Sequence, residues 1–149
     1  MGKVNFFFED YKRFRIDRNM ISENLQKIIT LEGYISGNIS LIFCSDNYLL
    51  DMNKQFLDHD YFTDIITFNY SIDKAISGDL FISIDRIKEN ALNYNQTFEN
   101  ELYRVIFHGV LHLIGYDDKD EISVKVMKEK ENYYLEKFEE KNDRFIAGV

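Results

Sequence analysis

The sequence predicts an α+β protein: a small mixed β-sheet of three to four strands packed with about five helices. Three observations predict it. Short β-branched and aromatic runs alternate with longer segments whose apolar residues recur at helical spacing. Two of the strand-like runs, 64–70 and 79–84, follow one another with no helical segment between them, so the sheet is not built from βαβ units alone. The 149 residues carry no repeat, low-complexity tract or linker, and no proline. They read as one domain, 1–149, of a size that buries roughly 68–70% of its unfolded surface.

Taken in order, Val4–Phe8 reads as a short strand. Asn19 or Ser22 is the expected cap of a helix to about Glu32, with Ile21, Leu25, Ile28 and Ile29 on one face. Gly33 and Gly37 bracket a turn before the strand Asn38–Cys44. Ser45 caps a helix to about Leu57, apolar at Leu49, Leu50, Met52 and Phe56. Residues 58–62, Asp-His-Asp-Tyr-Phe, form a polar loop in which His59 reads as a surface histidine. Asp64–Tyr70 and Asp79–Ile84 are strands, their leading aspartates serving turn backbone, and Asp85 is the expected cap of a helix to about Tyr94. Thr97 opens a helix that runs to Leu113. The last helix, Asp120 to about Lys141, mixes charge with Ile122, Val126 and Leu135, which turn it toward the body.

Composition excludes several classes. Cys44 is alone, so no internal disulfide forms, and its apolar run Ile39–Cys44 marks a buried thiol rather than a nucleophile. No apolar stretch reaches the roughly 20 residues that cross a bilayer. The start, Met-Gly-Lys-Val-Asn-Phe-Phe-Phe, lacks the apolar region and cleavage site of a signal peptide. The expected location is the cytoplasm, with no membrane partner. A net charge of −8 argues against indiscriminate nucleic-acid binding. Residues 1–30 depart from that balance, with six Lys/Arg against four Asp/Glu. Lys12, Arg13, Arg15 and Arg18 read as a solvated face or as a place to hold phosphates.

The chemistry concentrates in His108-Gly-Val-Leu-His-Leu-Ile-Gly-Tyr-Asp-Asp118. Histidines four apart on a helix stand one above the other, roughly 6 Å along the axis, so both imidazoles reach one metal ion. Gly115 can end the helix with positive φ, and the chain then doubles back to bring Asp118 to a third position. Three protein ligands with a fourth position open describe a catalytic zinc site, whereas structural sites are usually closed by four. The expectation is one zinc ion per chain, held by His108, His112 and Asp118 at the end of a central helix. The alternative is a helix end with buried, hydrogen-bonded histidines. On the same helix Glu101, Arg104, His108 and His112 fall within about 80° of one another, while Leu102, Val105, Ile106, Val110 and Leu113 fill most of the remaining surface. That stripe predicts a cleft with the metal at its C-terminal end.

Zinc bound by two imidazoles and a carboxylate fits hydrolysis. The ligand spacing matches that of metzincin proteases, except that those place a glutamate, the general base, directly after the first histidine. Here that residue is Gly109. The same stretch resembles the signature of the YbeY family of bacterial endoribonucleases, His-Gly-x-Leu-His-Leu-x-Gly-Tyr-Asp-His, at every fixed position except the last. Thr63-Asp-Ile-Ile-Thr-Phe68 is similar to the family's Thr-Asp-Val-Leu-Ser-Phe, and Gly78-Asp-Leu-Phe-Ile-Ser83 to its Gly-Asp-Ile-x-Ile-Ser. Asn53 and Phe56 fit the stretch before these, and Glu101 stands where the family has its glutamate before the motif.

The resemblance implies a single-domain metal-dependent hydrolase of single-stranded RNA, working on the 3′ end of small-subunit (16S) ribosomal RNA and in ribosome quality control. Its implied partners are ribosomal RNA and the small ribosomal subunit. Carried over by position, His108 and His112 are zinc ligands and Asp118 takes the third ligand's place, where the family has histidine; Asp117 matches the aspartate before it. Leu57 replaces an arginine often found after the aromatic, so Arg104 or the basic cluster at 12–18 is the candidate phosphate-binding group. Attack on the phosphodiester would come from metal-activated water or a neighbouring ribose hydroxyl, with no side chain assigned as base. A zinc metallopeptidase and a ribosome-binding assembly factor with a structural metal are the rival readings.

Overall fold

The computed structural model describes residues 2–57 and 62–147, with 140–147 as helix backbone alone. The expected polar loop at 58–61, with His59, lies outside the described residues. The elements run β1 (Val4–Phe8), α1 (Arg18–Leu31), β2 (Ile35–Cys44), α2 (Asp46–Phe56), β3 (Ile65–Asn69), β4 (Ala75–Ser83), α3 (Ile84–Asn93), α4 (Phe98–Ile114) and α5 (Glu121–Ala147). This is the expected α+β architecture, with one mixed sheet.

The sheet order is β1-β2-β4-β3. β1 and β2 are parallel, α1 forming the crossover between them. β4 is parallel to β2, and β3 lies antiparallel at its far side as the hairpin partner. The hairpin closes where Ile72 pairs with Ala75 and Asp73 takes φ +53°, a left-handed conformation that aspartate tolerates better than most residues. Phe6, Leu41 and Leu80 are in register across three strands, as are Phe8, Phe43 and Ile82. Their side chains meet Ile21, Leu25 and Ile28 of α1 and Val105, Ile106 and Val110 of α4 in the main core. A smaller cluster pairs Leu49 of α2 with Cys44 and Ile66, edged by Tyr48, Phe68 and Phe81. Cys44 is fully buried, its Sγ 3.4 Å from the carbonyl of Ile82, and burial pushes its thiol up to about 12. Among the described residues no helix is long and apolar enough to cross a membrane.

Several boundaries differ from expectation. Asp17, not Asn19 or Ser22, caps α1, its carboxylate accepting from the Met20 N–H at 3.0 Å. Ser83 caps α3, while Asp85 accepts instead from the Asp46 N–H at 3.0 Å, in the first turn of α2. Asp17 stands two positions before Asn19 and Ser83 two before Asp85, and each meets a free N–H of the first turn. Gly37 sits inside β2, where the register shifts between Ser36 and Ile39, and β4 begins at Ala75 rather than Asp79. Ala-Ile-Ser-Gly reads as turn by composition but is strand by pairing. On α5 the inward residues are Met127, Glu131, Tyr134, Leu135 and Phe138, whereas Ile122 and Val126 are exposed.

Candidate metal centre

Thr97 caps α4, its hydroxyl accepting from the Asn100 N–H at 3.0 Å. The helix then runs unbroken between the sheet and α5 until Gly115, where φ is +127°. The Gly115 N–H donates to the carbonyls of Leu111 and His112, and the Tyr116 N–H donates to Leu111. This closure satisfies the helix end and reverses the chain, as the glycine position predicts. The Asn69 side-chain amide donates to the Leu113 carbonyl at 3.2 Å and so ties β3 to the same helix end.

Two glycines let α4 lie against the sheet. A Cβ on Gly109 would stand 2.7 Å from Ile65 Cδ1 and 3.0 Å from Leu80 Cδ1. A Cβ on Gly78 would stand 2.4 Å from the Phe68 carbonyl oxygen and 2.8 Å from Leu113 Cδ2. The residue after the first histidine therefore faces the sheet core. It has no room for the glutamate that a metzincin carries there.

On the opposite face the reversal brings Asp118 to the two histidines. Asp118 Oδ2 lies 3.5 Å from Nε2 of His108 and 3.5 Å from Nε2 of His112. One ligand atom from each of the three residues lies within 4.8 Å of the others. Zinc bonds of about 2.0–2.2 Å in tetrahedral geometry place ligand atoms roughly 3.3 Å apart. The donor set and its spacing therefore fit a metal ion with little movement. Asp118 is 46% exposed and the histidines about a quarter, so an ion held by them would be within reach of solvent.

Glu101, Arg104 and His108 of α4 line a cleft of about 570 Å³ with Asp64 and Asn90 on its other walls. Glu131 of α5, which the sequence reading missed, reaches into it. Its Oε2 lies 2.7 Å from His108 Nδ1, and its Oε1 3.2 Å from Arg104 Nη1. Arg104 Nε stands 3.8 Å from Glu101 Oε1, a buried oxygen that has no hydrogen bond among the described residues. The missed signal was the face Met127, Glu131, Tyr134, Leu135 and Phe138: a charge inside an apolar stripe must have a partner. Asp64 serves the cleft wall rather than only a turn. Leu57, in the place of the family's arginine, closes α2 at 42% exposure.

The charges set the two histidines apart. Burial disfavours the His108 cation, yet the hydrogen bond and charge of Glu131, with Asp64 and Asp118 behind, hold its pKa above the usual value. Burial and repulsion from His108 push His112 below it, against Asp118. Burial raises Asp64, opposed by His108, and burial raises Glu101, opposed by Arg104. Among the described residues around the cleft, the carboxylates of Asp64, Glu101, Asp118 and Glu131 stand beside the cations Arg104 and Lys128 and the imidazole of His108. Without a bound cation this surface repels a phosphate.

A family model described as endoribonuclease YbeY matches residues 7–139 of the chain. The endoribonuclease YbeY of Parabacteroides distasonis is 42% identical over 132 residues, which cover 89% of this chain and 93% of that protein. That of Cytophaga hutchinsonii is 47% identical over 132 residues, 87% of this chain and 92% of the relative. Among solved structures, the solution structure of TM1509 from Thermotoga maritima superposes with a TM-score of 0.63 at 29% identity, covering 89% of this chain and 87% of that one.

Proposed function

The chain belongs to the endoribonuclease YbeY family, and on that premise we propose that it is a zinc-dependent endoribonuclease that cuts single-stranded RNA. Its substrate is ribosomal RNA on the small ribosomal subunit, in cytoplasmic maturation of the 16S 3′ end and in ribosome quality control. The observation that carries the reading is the convergence of His108, His112 and Asp118, of which His108 and Asp118 also line the cleft.

His108 and His112 would hold the ion through Nε2 and Asp118 through its carboxylate. Zinc bound there supplies Lewis acidity toward a phosphodiester oxygen and lowers the pKa of water toward about 7. The chain's own residues do the rest. Glu131 holds the His108 ring, and the helix end at Gly115 fixes where Asp118 returns. Arg104, 29% exposed on the cleft wall, keeps a guanidinium edge for a phosphate while its Nη1 meets Glu131. Single-stranded RNA suits an open, acidic cleft, because a flexible strand can offer one phosphodiester to the cation without laying a duplex on an acidic surface.

The packing of Gly109 against Ile65 and Leu80 weighs against a peptidase of the metzincin type, which carries its base at that position. A set of three protein ligands, which would leave a fourth position to water, weighs against a purely structural metal.

The test is cleavage of a labelled single-stranded RNA by wild type and His112→Ala, purified side by side. Cutting by the wild type alone, abolished by a chelator and restored by zinc, is the expected result. Equal cutting by both proteins assigns the activity to a contaminating nuclease. Chelator-sensitive cleavage of peptides with RNA left intact overturns the reading in favour of a peptidase.

A further inference from the structure

We propose that Glu131 is a positioning residue of the metal centre: it fixes the His108 ring in the tautomer and orientation that turn Nε2 toward Asp118 and His112. This rests on the reading of the site as a metal centre and extends it to α5, an element outside the signature.

The geometry divides the two nitrogens of His108. Nε2 is the atom 3.5 Å from Asp118 Oδ2, and Nδ1 is the atom 2.7 Å from Glu131 Oε2. A neutral imidazole carries one proton. With a carboxylate at hydrogen-bond distance from Nδ1, that proton sits on Nδ1 and donates to Glu131. The Nε2 lone pair is then directed at the ligand cluster. Metal-binding histidines are commonly oriented in this way by a carboxylate on the other nitrogen.

Glu131 is itself held in place. It is 5% exposed, and its second oxygen accepts from Arg104 Nη1 at 3.2 Å. Its helix is anchored on both sides of it. Met127, Leu135 and Phe138 are buried in the main core, Phe138 packing edge-on against Phe107 of α4 with ring centroids 5.7 Å apart. The Tyr134 hydroxyl bonds Glu32. A buried carboxylate in an otherwise apolar face is costly unless fully partnered, and here its partners are a candidate ligand and the arginine beside it. The contact of His112 is on the other side, where its Nε2 lies 3.5 Å from Asp118 Oδ2 of the returning loop.

The experiment follows the imidazole nitrogens and the metal, not RNA cleavage. Nitrogen-15 NMR of zinc-free protein, at a pH where His108 is neutral, reports which nitrogen carries the proton. Competition with a chromogenic chelator gives the zinc affinity. Wild type is expected to show the proton on Nδ1. Glu131→Ala should lose that preference and bind zinc about ten- to a hundredfold more weakly. Glu131→Met keeps the side-chain volume should the alanine variant fail to fold, and is expected to show the same two losses. Glu131→Gln can still accept from Nδ1–H through its amide oxygen and should recover the tautomer and part of the affinity. Zinc affinity within twofold of wild type in a folded Glu131→Ala or Glu131→Met overturns the proposal, as does an unchanged tautomer. Wild type that binds no zinc at all instead overturns the metal-centre reading itself.

Discussion

The hydroxyl of Tyr116 donates to Oε1 of Glu32 over 2.5 Å, joining the residue that ends α1 to the loop that carries Asp118. The other oxygen of Glu32 accepts from Lys130 Nζ at 3.0 Å and from the Tyr134 hydroxyl, both on α5. One carboxylate, 8% exposed, therefore ties together α1, the loop and α5. Burial raises its pKa, but the two phenols and Lys130 outweigh this and leave it below the usual value. A carboxylate with a depressed folded-state pKa contributes stability that is present above its unfolded value, about 4.3. That contribution is lost as pH falls through the folded value. Glu32→Gln should thus lower unfolding free energy by about 2–3 kcal/mol at pH 7, with the difference from wild type shrinking below about pH 4.3. Urea unfolding of both proteins at pH 7 and pH 3.5 checks it; an equal difference at both would remove the charge from the explanation.

Gly109 supplies a second prediction, which separates packing from chemistry. Its Cβ would press on Ile65 and Leu80 at 2.7–3.2 Å, contacts that require side-chain tips to yield. Overpacking of this kind costs about 1–3 kcal/mol, against a gain of about 1 kcal/mol in helix propensity on replacing glycine by alanine. Gly109→Ala should therefore be neutral to destabilised by about 2 kcal/mol in a thermal or urea melt. Gly109→Glu should fold poorly and gain no peptidase activity. A stable, peptide-cleaving Gly109→Glu would show that the position faces the metal after all.

How much of this was legible beforehand depended on the range of the interaction. Local signals sufficed for the capping of α2 by Ser45 and α4 by Thr97, for the termination at Gly115, and for the apolar faces of α1 and α4. The convergence of His108, His112 and Asp118 was legible for the same reason: the histidines share one helix face, and Asp118 returns through a short turn. What was missed depends on partners distant in sequence. Ala75–Gly78 is a strand because β2 and β3 flank it. Glu131 is a site residue because α5 folds back 23 positions later onto His108. Glu32, 84 positions from Tyr116, had no local signal at all. On α5 the packing against the body and the burial of Leu135 were legible, whereas Ile122 and Val126 were misplaced inward and Tyr134 and the charged Glu131 were not counted as core.

Arg104 is the proposed phosphate anchor in the absence of an arginine at Leu57. Its removal should weaken binding of single-stranded RNA and lower the dependence of log K on log salt by about 0.7, one phosphate contact in a single strand. Arg104→Ala also frees an oxygen of Glu131, so binding is best measured at saturating zinc, with metal content recorded. Filter binding across a salt series gives both quantities. An unchanged slope and affinity would move the anchor elsewhere, with the exposed basic residues at 12–18 next in line.

Asp118 gives the prediction closest to the chemistry. As a ligand, the Asp118 carboxylate would place a negative charge where the family resemblance has a neutral imidazole. It would lower the Lewis acidity of the cation and raise the pH needed to ionise water beside it. Asp118→His removes that charge while keeping a donor that zinc accepts. The pH of half-maximal RNA cleavage should fall in Asp118→His relative to wild type, the plateau rate remaining within about tenfold. Asp118→Ala leaves two histidines, and zinc affinity should drop by more than the ten- to hundredfold typical of losing an outer partner. Both proteins should keep the wild-type melting transition without metal to within a few degrees, because Asp118 is 46% exposed and carries no packing. Identical pH–rate curves for wild type and Asp118→His, at equal zinc content, would mean that Asp118 lies beside the ion without binding it.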